Sequence, residues 1–138
     1  MALLIAYATT YPDQVAGMVL LDSPVPADPI EVAPRFLPQG ELPGPDDWMG
    51  TNEEMDEFAA FQQAYALEGK EPPIPVTYLA SNELPDDPAF AAAILRVERE
   101  YAERYDPGRF IQLDAPHYME VALPARIAEE LERVIAAA

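Results

Sequence analysis

The chain carries a single histidine, His117, in the stretch Leu113-Asp114-Ala115-Pro116-His117-Tyr118-Met119-Glu120. Imidazole titrates near neutral pH, so it can take a proton in one step and return it in the next. A strand-like run, Arg109-Phe110-Ile111-Gln112-Leu113, leads into the stretch, and Pro124 opens a helical pattern after it. His117 is therefore placed on a loop between a strand and a helix. There it is a candidate general base, and the plainer alternative is a surface or structural histidine. A base of this kind works with a carboxylate that orients its ring. Two other strand-like runs end in polar stretches that hold carboxylates, Asp22-Ser23-Pro24 and Ser81-Asn82-Glu83-Leu84-Pro85-Asp86.

The elements that must position these groups are read from periodicity and punctuation. Residues 2–8 are apolar on nearly every side and rich in alanine and leucine, which favours a buried helix. Pro12 disfavours helix at the residue before it. Residues 15–21 read as a strand buried on both faces, the kind found in parallel sheets. Residues 24–52 are rich in proline, with glycine at 40, 44 and 50, and form a loop excursion too long for a simple connection. A helix is expected from Glu53 to a cap near Gly69, with Met55, Phe58, Ala59, Gln62 and Tyr65 on one stripe and Phe61 beside it. Such a stripe suits a lid over a pocket as well as a helix packed on the core. A strand at 74–80 follows. Asp87-Pro88 then forms a cap and first-turn signature, while Asp86 and Asp87 read as helix-cap residues. That helix runs to about Tyr105, with Phe90, Ile94, Val97, Tyr101 and Tyr105 on one face. After the strand at 109–113, the helix from Pro124 has the inner stripe Ile127, Ala128, Leu131, Val134 and Ile135. Strands alternating with helices imply an α/β domain with a three-stranded parallel sheet and right-handed crossovers. All three strands then deliver their polar loops to one edge, where ligands bind in open α/β sheets.

Composition excludes several classes of function. The 138 residues suit one domain, and half are apolar, so a core can form and the chain is not a disordered acidic tail. No run is long enough to span a bilayer. The start of the sequence is apolar without a basic region or a processing site, so a cytoplasmic protein is expected. With no cysteine there is neither a disulfide nor a thiolate. One histidine without cysteine makes a metal site unexpected, although Asp and Glu alone can hold a hard cation. No cofactor is expected. The net charge of −17, with Lys70 the one lysine, repels nucleic acid and anionic membranes, so neither is an expected partner. The acidic residues are spread over loops and helix faces, as a solvated surface would have them.

Three features together resemble the α/β-hydrolase family. Tyr11-Pro12-Asp13-Gln14-Val15-Ala16-Gly17-Met18-Val19-Leu20-Leu21-Asp22 is similar to the family's helix after the nucleophile followed by its sixth strand. The insertion at 24–72 falls where the family places its cap or lid. Asp114-Ala115-Pro116-His117, with a proline-started helix shortly after, resembles the catalytic-histidine loop and final helix. The resemblance covers nearly all of the chain and implies a partial α/β-hydrolase domain over residues 1–138, acting on a small ester-like substrate with His117 as base. The family's usual acid, after the seventh strand, corresponds to Glu83 in Ala80-Ser81-Asn82-Glu83, with glutamate for aspartate and no glycine. A minority arrangement takes the acid from the end of the sixth strand, which is Asp22. Asp22 can also be a carboxylate that closes a turn through nearby backbone. Trp48, Phe58 and Phe61 are candidate walls of an apolar acyl pocket.

The family's serine stands in G-x-S-x-G just before the helix that here starts at Ala2, and the sequence contains no G-x-S-x-G. Ser23 follows a different strand and does not replace it. Nucleophile, oxyanion-hole loop and the first five strands would all lie upstream of Met1, so the chain alone is expected to be inactive. The strand at 15–21 would then carry an open edge, which favours self-association. The alternative function is a non-catalytic α/β module that binds a partner through that edge or an apolar groove. A flavodoxin-like or Rossmann-like domain is disfavoured, because no glycine-rich phosphate loop follows either early strand.

Overall fold

A computed structural model describes residues 2–38 and 57–138. It contains a three-stranded parallel sheet flanked by helices, an α/β arrangement. Strand β1 is Met18–Leu21, β2 is Val76–Ala80 and β3 is Gly108–Gln112. The order is β1-β2-β3, with Met18 opposite Val76 and Val76 opposite Gly108. Helices are α1 (Ala2–Thr10), α2 (Ala33–Phe36), α3 (Glu57–Tyr65), α4 (Pro88–Ala102), α5 (Met119–Ala122) and α6 (Pro124–Ala137).

The central strand β2 is buried at every residue, as a strand covered on both faces must be. On one face Met18, Leu20, Val76, Tyr78 and Ala80 join the core formed with α1, α3 and α4. On the other face Leu79, Ala115 and Met119 are buried, with Val19, Leu21, Ile111 and Ile127 packed against them. β1 is an end strand of the described sheet, and its Val19 and Leu21 are only partly buried. The expected strand over 15–21 is thus shorter, and residues 12–14 form a turn of 3-10 helix at Pro12.

Helix α4 is the most legible element. Asp87 Oδ1 accepts from the backbone N–H of Ala89 at 2.8 Å and of Phe90 at 3.1 Å, satisfying two of the free donors at its start. Val97 and Tyr101 lie in the core, with Phe90 and Ile94 partly buried against it. Four expectations need correction. The helix α1 is not enclosed: Ala2, Ile5 and Ala8 pack inward while Leu3 and Tyr7 are 55% and 43% exposed. The loop excursion contains helix, since Asp28–Val32 coil into α2. The inward face of α3 is Ala60, Phe61 and Ala64 rather than the Ala59-Gln62-Tyr65 stripe. In α6 Val134 and the charged Glu130 are buried, whereas Ala128, Leu131 and Ile135 face outward.

The inward turn of Glu130 has a local cause. Arg109 Nη1 from β3 reaches its Oε2 at 2.7 Å, and Arg126 Nη2 lies 2.7 Å from its Oε1. A buried carboxylate is tolerated when it is paired in this way.

Candidate active site

The parallel sheet sends three loops past its C-terminal edge, and they meet. Asp22 ends β1 with φ +41°, the left-handed region that aspartate tolerates better than most residues. Its backbone N–H donates to Leu79 O at 2.8 Å, which holds the turn against β2. The Asp22 carboxylate is then bound at both oxygens: Oδ1 accepts from the Ser81 backbone N–H at 2.6 Å, and Oδ2 lies 2.7 Å from His117 Nδ1. The carboxylate side chain is 14% exposed and the imidazole 53% exposed. With Nδ1 donating to Asp22, the other ring nitrogen, Nε2, is the one left able to accept a proton.

Glu83 comes to the same place in a different role. Its Oε2 accepts from the backbone N–H of His117 at 2.8 Å, so it holds the main chain of the histidine loop rather than the ring. The fully buried Ser81 orients this loop, its Oγ accepting from the Glu83 N–H at 3.1 Å. Further bonds stitch the β2 and β3 loops together: Asn82 Nδ2 donates to Asp114 Oδ1, and Leu113 N–H donates to Ala80 O at 2.8 Å. His117 also stands edge-on to the Tyr118 ring, with centroids 5.2 Å apart.

Beside the pair lies a cavity of about 270 Å³. Asp22 and Glu83 form part of its wall, together with the carboxyls of Asp28 and Glu98. The apolar wall includes Leu37, Leu84, Phe90 and Ile94, and no lysine or arginine lines it among the described residues. Phe36 stacks on Phe90 with centroids 5.1 Å apart, fixing α2 over α4. Of the expected pocket walls, Phe61 is instead a core residue, 1% exposed. Trp48 and the Phe58 side chain lie outside the described residues.

Asp28 and Glu98 are additions that the sequence reading missed. Asp28 Oδ2 accepts from the Val25 N–H at 2.7 Å. Burial pushes its carboxyl up to about 7, with that backbone bond acting the other way. Glu98 is 6% exposed, and burial pushes it up to about 8. Tyr78 Oη lies 2.6 Å from Ser23 O and 2.9 Å from Glu98 Oε1. The hydroxyl has one hydrogen and the carbonyl can only accept, so a neutral Glu98 completes the set by donating its own proton. Signals existed for both residues. Asp28-Pro29 repeats the Asp87-Pro88 signature, and Glu98 continues the Phe90-Ile94 spacing on the inner face of α4.

The fold and site define a protein of the α/β class with a histidine–carboxylate pair at the carboxyl edge of a parallel sheet. Comparison with protein-family models, curated proteins and solved structures gave no match to this chain. No helix among the described residues is long and apolar enough to cross a membrane, and no group of three or more His, Cys, Asp or Glu there could hold a metal ion.

Proposed function

We propose that His117 and Asp22 are the base and acid of a charge relay of the α/β-hydrolase type, in a hydrolase of esters or related acyl compounds. The observation that carries this reading is the 2.7 Å contact between His117 Nδ1 and Asp22 Oδ2. It ties together residues 95 apart in sequence and leaves Nε2 for a nucleophile. The serine must come from outside these 138 residues, which hold no G-x-S-x-G. A serine supplied there attacks the acyl carbon; His117 takes its proton and returns it to the leaving group, and Asp22 holds the tautomer. Glu83 acts as a positioning residue through the His117 main chain. The 24–72 segment is the lid of this reading, supported by the stacking of Phe36 on Phe90 beside the cavity.

The test is to express this chain joined to the segment encoded directly upstream of it, and to assay p-nitrophenyl esters. Activity is expected only in the longer protein, with kcat/KM falling at least about 1000-fold in His117→Ala. An active longer protein indifferent to that substitution would refute the relay. The second reading, a non-catalytic binding module, draws on the end position of β1 and on Leu3, Leu4 and Tyr7 exposed along α1. An inactive longer protein whose partner binding survives His117→Ala would favour it.

A further inference from the structure

The turn that carries Asp22 is held from β2 at three points. Asp22 N–H donates to Leu79 O at 2.8 Å, Asp22 Oδ1 accepts from Ser81 N–H at 2.6 Å, and Ser23 O lies 2.6 Å from the Tyr78 hydroxyl. The first two bonds hold Asp22 itself, and the third holds the carbonyl of the residue after it. That carbonyl can only accept, so Tyr78 Oη is the donor. Tyr78 is fully buried in the central strand, opposite Leu20 of β1 and Phe110 of β3, and its ring stacks on Phe110 with centroids 5.7 Å apart. The hydroxyl is therefore placed by the sheet and not by the turn it holds. Asp22 has φ +41°, a conformation that a residue other than glycine keeps only where its surroundings over-determine it. Released after Asp22, the backbone can return to an ordinary conformation, and the carboxylate turns with it.

We propose that Tyr78 is a positioning residue of the charge relay: its hydroxyl, donating to Ser23 O, holds the turn in the conformation that aims Asp22 Oδ2 at His117 Nδ1, and Glu98 keeps that hydroxyl directed at Ser23. Glu98 Oε1 lies 2.9 Å from Tyr78 Oη. With its one hydrogen on Ser23 O, Tyr78 Oη accepts from a protonated Glu98. A carboxylate in the same place would compete with Ser23 O for that hydrogen. Tyr78 and Glu98 touch neither His117 nor the Asp22 carboxylate, so they act through the Asp22 backbone alone. The inference deepens the hydrolase reading and rests on it for the use to which the oriented imidazole is put.

His117 is the one histidine, so its ring gives the only imidazole 15N signals of this chain, and they report its tautomer directly. At a pH where the ring is neutral, the ratio of the Nε2–H to the Nδ1–H form is expected to rise at least about 3-fold in Tyr78→Phe, the size of one modest hydrogen bond. Tyr101→Phe is the control. Tyr101 is also buried, and its hydroxyl bonds to that of Tyr105 at 2.6 Å, away from the Asp22 turn. It should lower the urea midpoint as Tyr78→Phe does and leave the ratio unchanged. Glu98→Gln should leave the ratio unchanged too, because the amide still donates to Tyr78. An unchanged ratio in Tyr78→Phe, or an equal rise in Tyr101→Phe, overturns the proposal; a rise in Glu98→Gln as large as that in Tyr78→Phe overturns the part given to Glu98. Should Tyr78→Phe not fold, the Tyr78 hydroxyl proton of the unmodified chain decides. Its nuclear Overhauser contacts are expected with Ser23, and contacts with Glu98 alone, or exchange too fast to observe, overturn the proposal. The ratio is read without turnover, so a failure here leaves the ester assay standing, and an inactive longer protein leaves the ratio standing.

Discussion

Asp22 carries two demands in one side chain. Its Oδ1 caps the Ser81 N–H while its Oδ2 orients His117, and its backbone sits at φ +41°. Asp22→Asn keeps one oxygen, which the buried Ser81 N–H requires. The amide nitrogen then faces His117 Nδ1 and can only donate, so the ring must carry its proton on Nε2. The expected result is a switch of tautomer, visible in the 15N shifts of the His117 ring, and loss of any activity of the longer protein. Asp22→Ala adds a stability loss of roughly 1–3 kcal/mol from the orphaned Ser81 N–H, measured by urea unfolding. A tautomer unchanged in Asp22→Asn would remove Asp22 as the orienting acid. The sequence left two readings of Asp22 open, orienting acid and turn-closing carboxylate; the geometry sets one oxygen against the imidazole and the other on the Ser81 backbone rather than on its own turn. The Ser81 bond goes to a neighbouring loop 59 residues away, which no local pattern reveals.

At the scale of elements, α4 and the turn after it depend on two small features. Removal of the cap in Asp87→Ala should cost about 1 kcal/mol, read as a lower urea midpoint with an unchanged slope. Gly108 opens β3 against the end of α4, and a Cβ there would stand 2.0 Å from Ala102 O and 2.7 Å from Tyr105 O. Both obstacles are backbone, so nothing can rotate away. Gly108→Ala should therefore cost clearly more than Asp87→Ala in the same titration, and an equal or smaller loss would contradict the tight packing of this turn. The inner face of α6 shows why apolar spacing alone misplaces a helix. Leu131 and Ile135 extend the stripe of Ile127, yet Glu130 turns in because Arg109 on β3 and Arg126 are there to meet it.

For the whole molecule, stability should depend on pH in an uncommon direction. Asp28 and Glu98 hold their protons up to about 7 and about 8 in the folded state, because burial disfavours the charged forms. In the unfolded chain both ionise near 4. The folded state therefore binds more protons between those values. Its extra stability is full below pH 4 and is lost as pH rises through about 7 to 8. Thermal melts should fall from pH 5 to pH 8, and Glu98→Gln should flatten that slope; a slope that is unchanged in the variant would contradict a neutral Glu98. Repulsion among the charges that make the net −17 acts in the same sense, so the variant comparison carries the test. The end strand β1 and the exposed Leu3, Leu4 and Tyr7 further predict association of the 138-residue chain. Sedimentation should show species larger than a monomer at high concentration, and a sharp, concentration-independent melt of a monomer would argue against it.

Sequence by itself determined the alternation of helices and parallel strands, the Asp87-Pro88 start of α4, and the meeting of three polar loops at one sheet edge. Each follows from local rules: period, capping and the one-way run of parallel strands. Tertiary structure alone decided which carboxylate faces the imidazole and which holds its backbone, since the sheet delivers Asp22 to the ring and Glu83 to the main chain of the histidine loop. It alone showed Asp28 and Glu98 buried in one cavity, and Glu130 paired across to β3. Burial of a charge depends on partners far away in the chain, and sequence spacing carries no record of those distances.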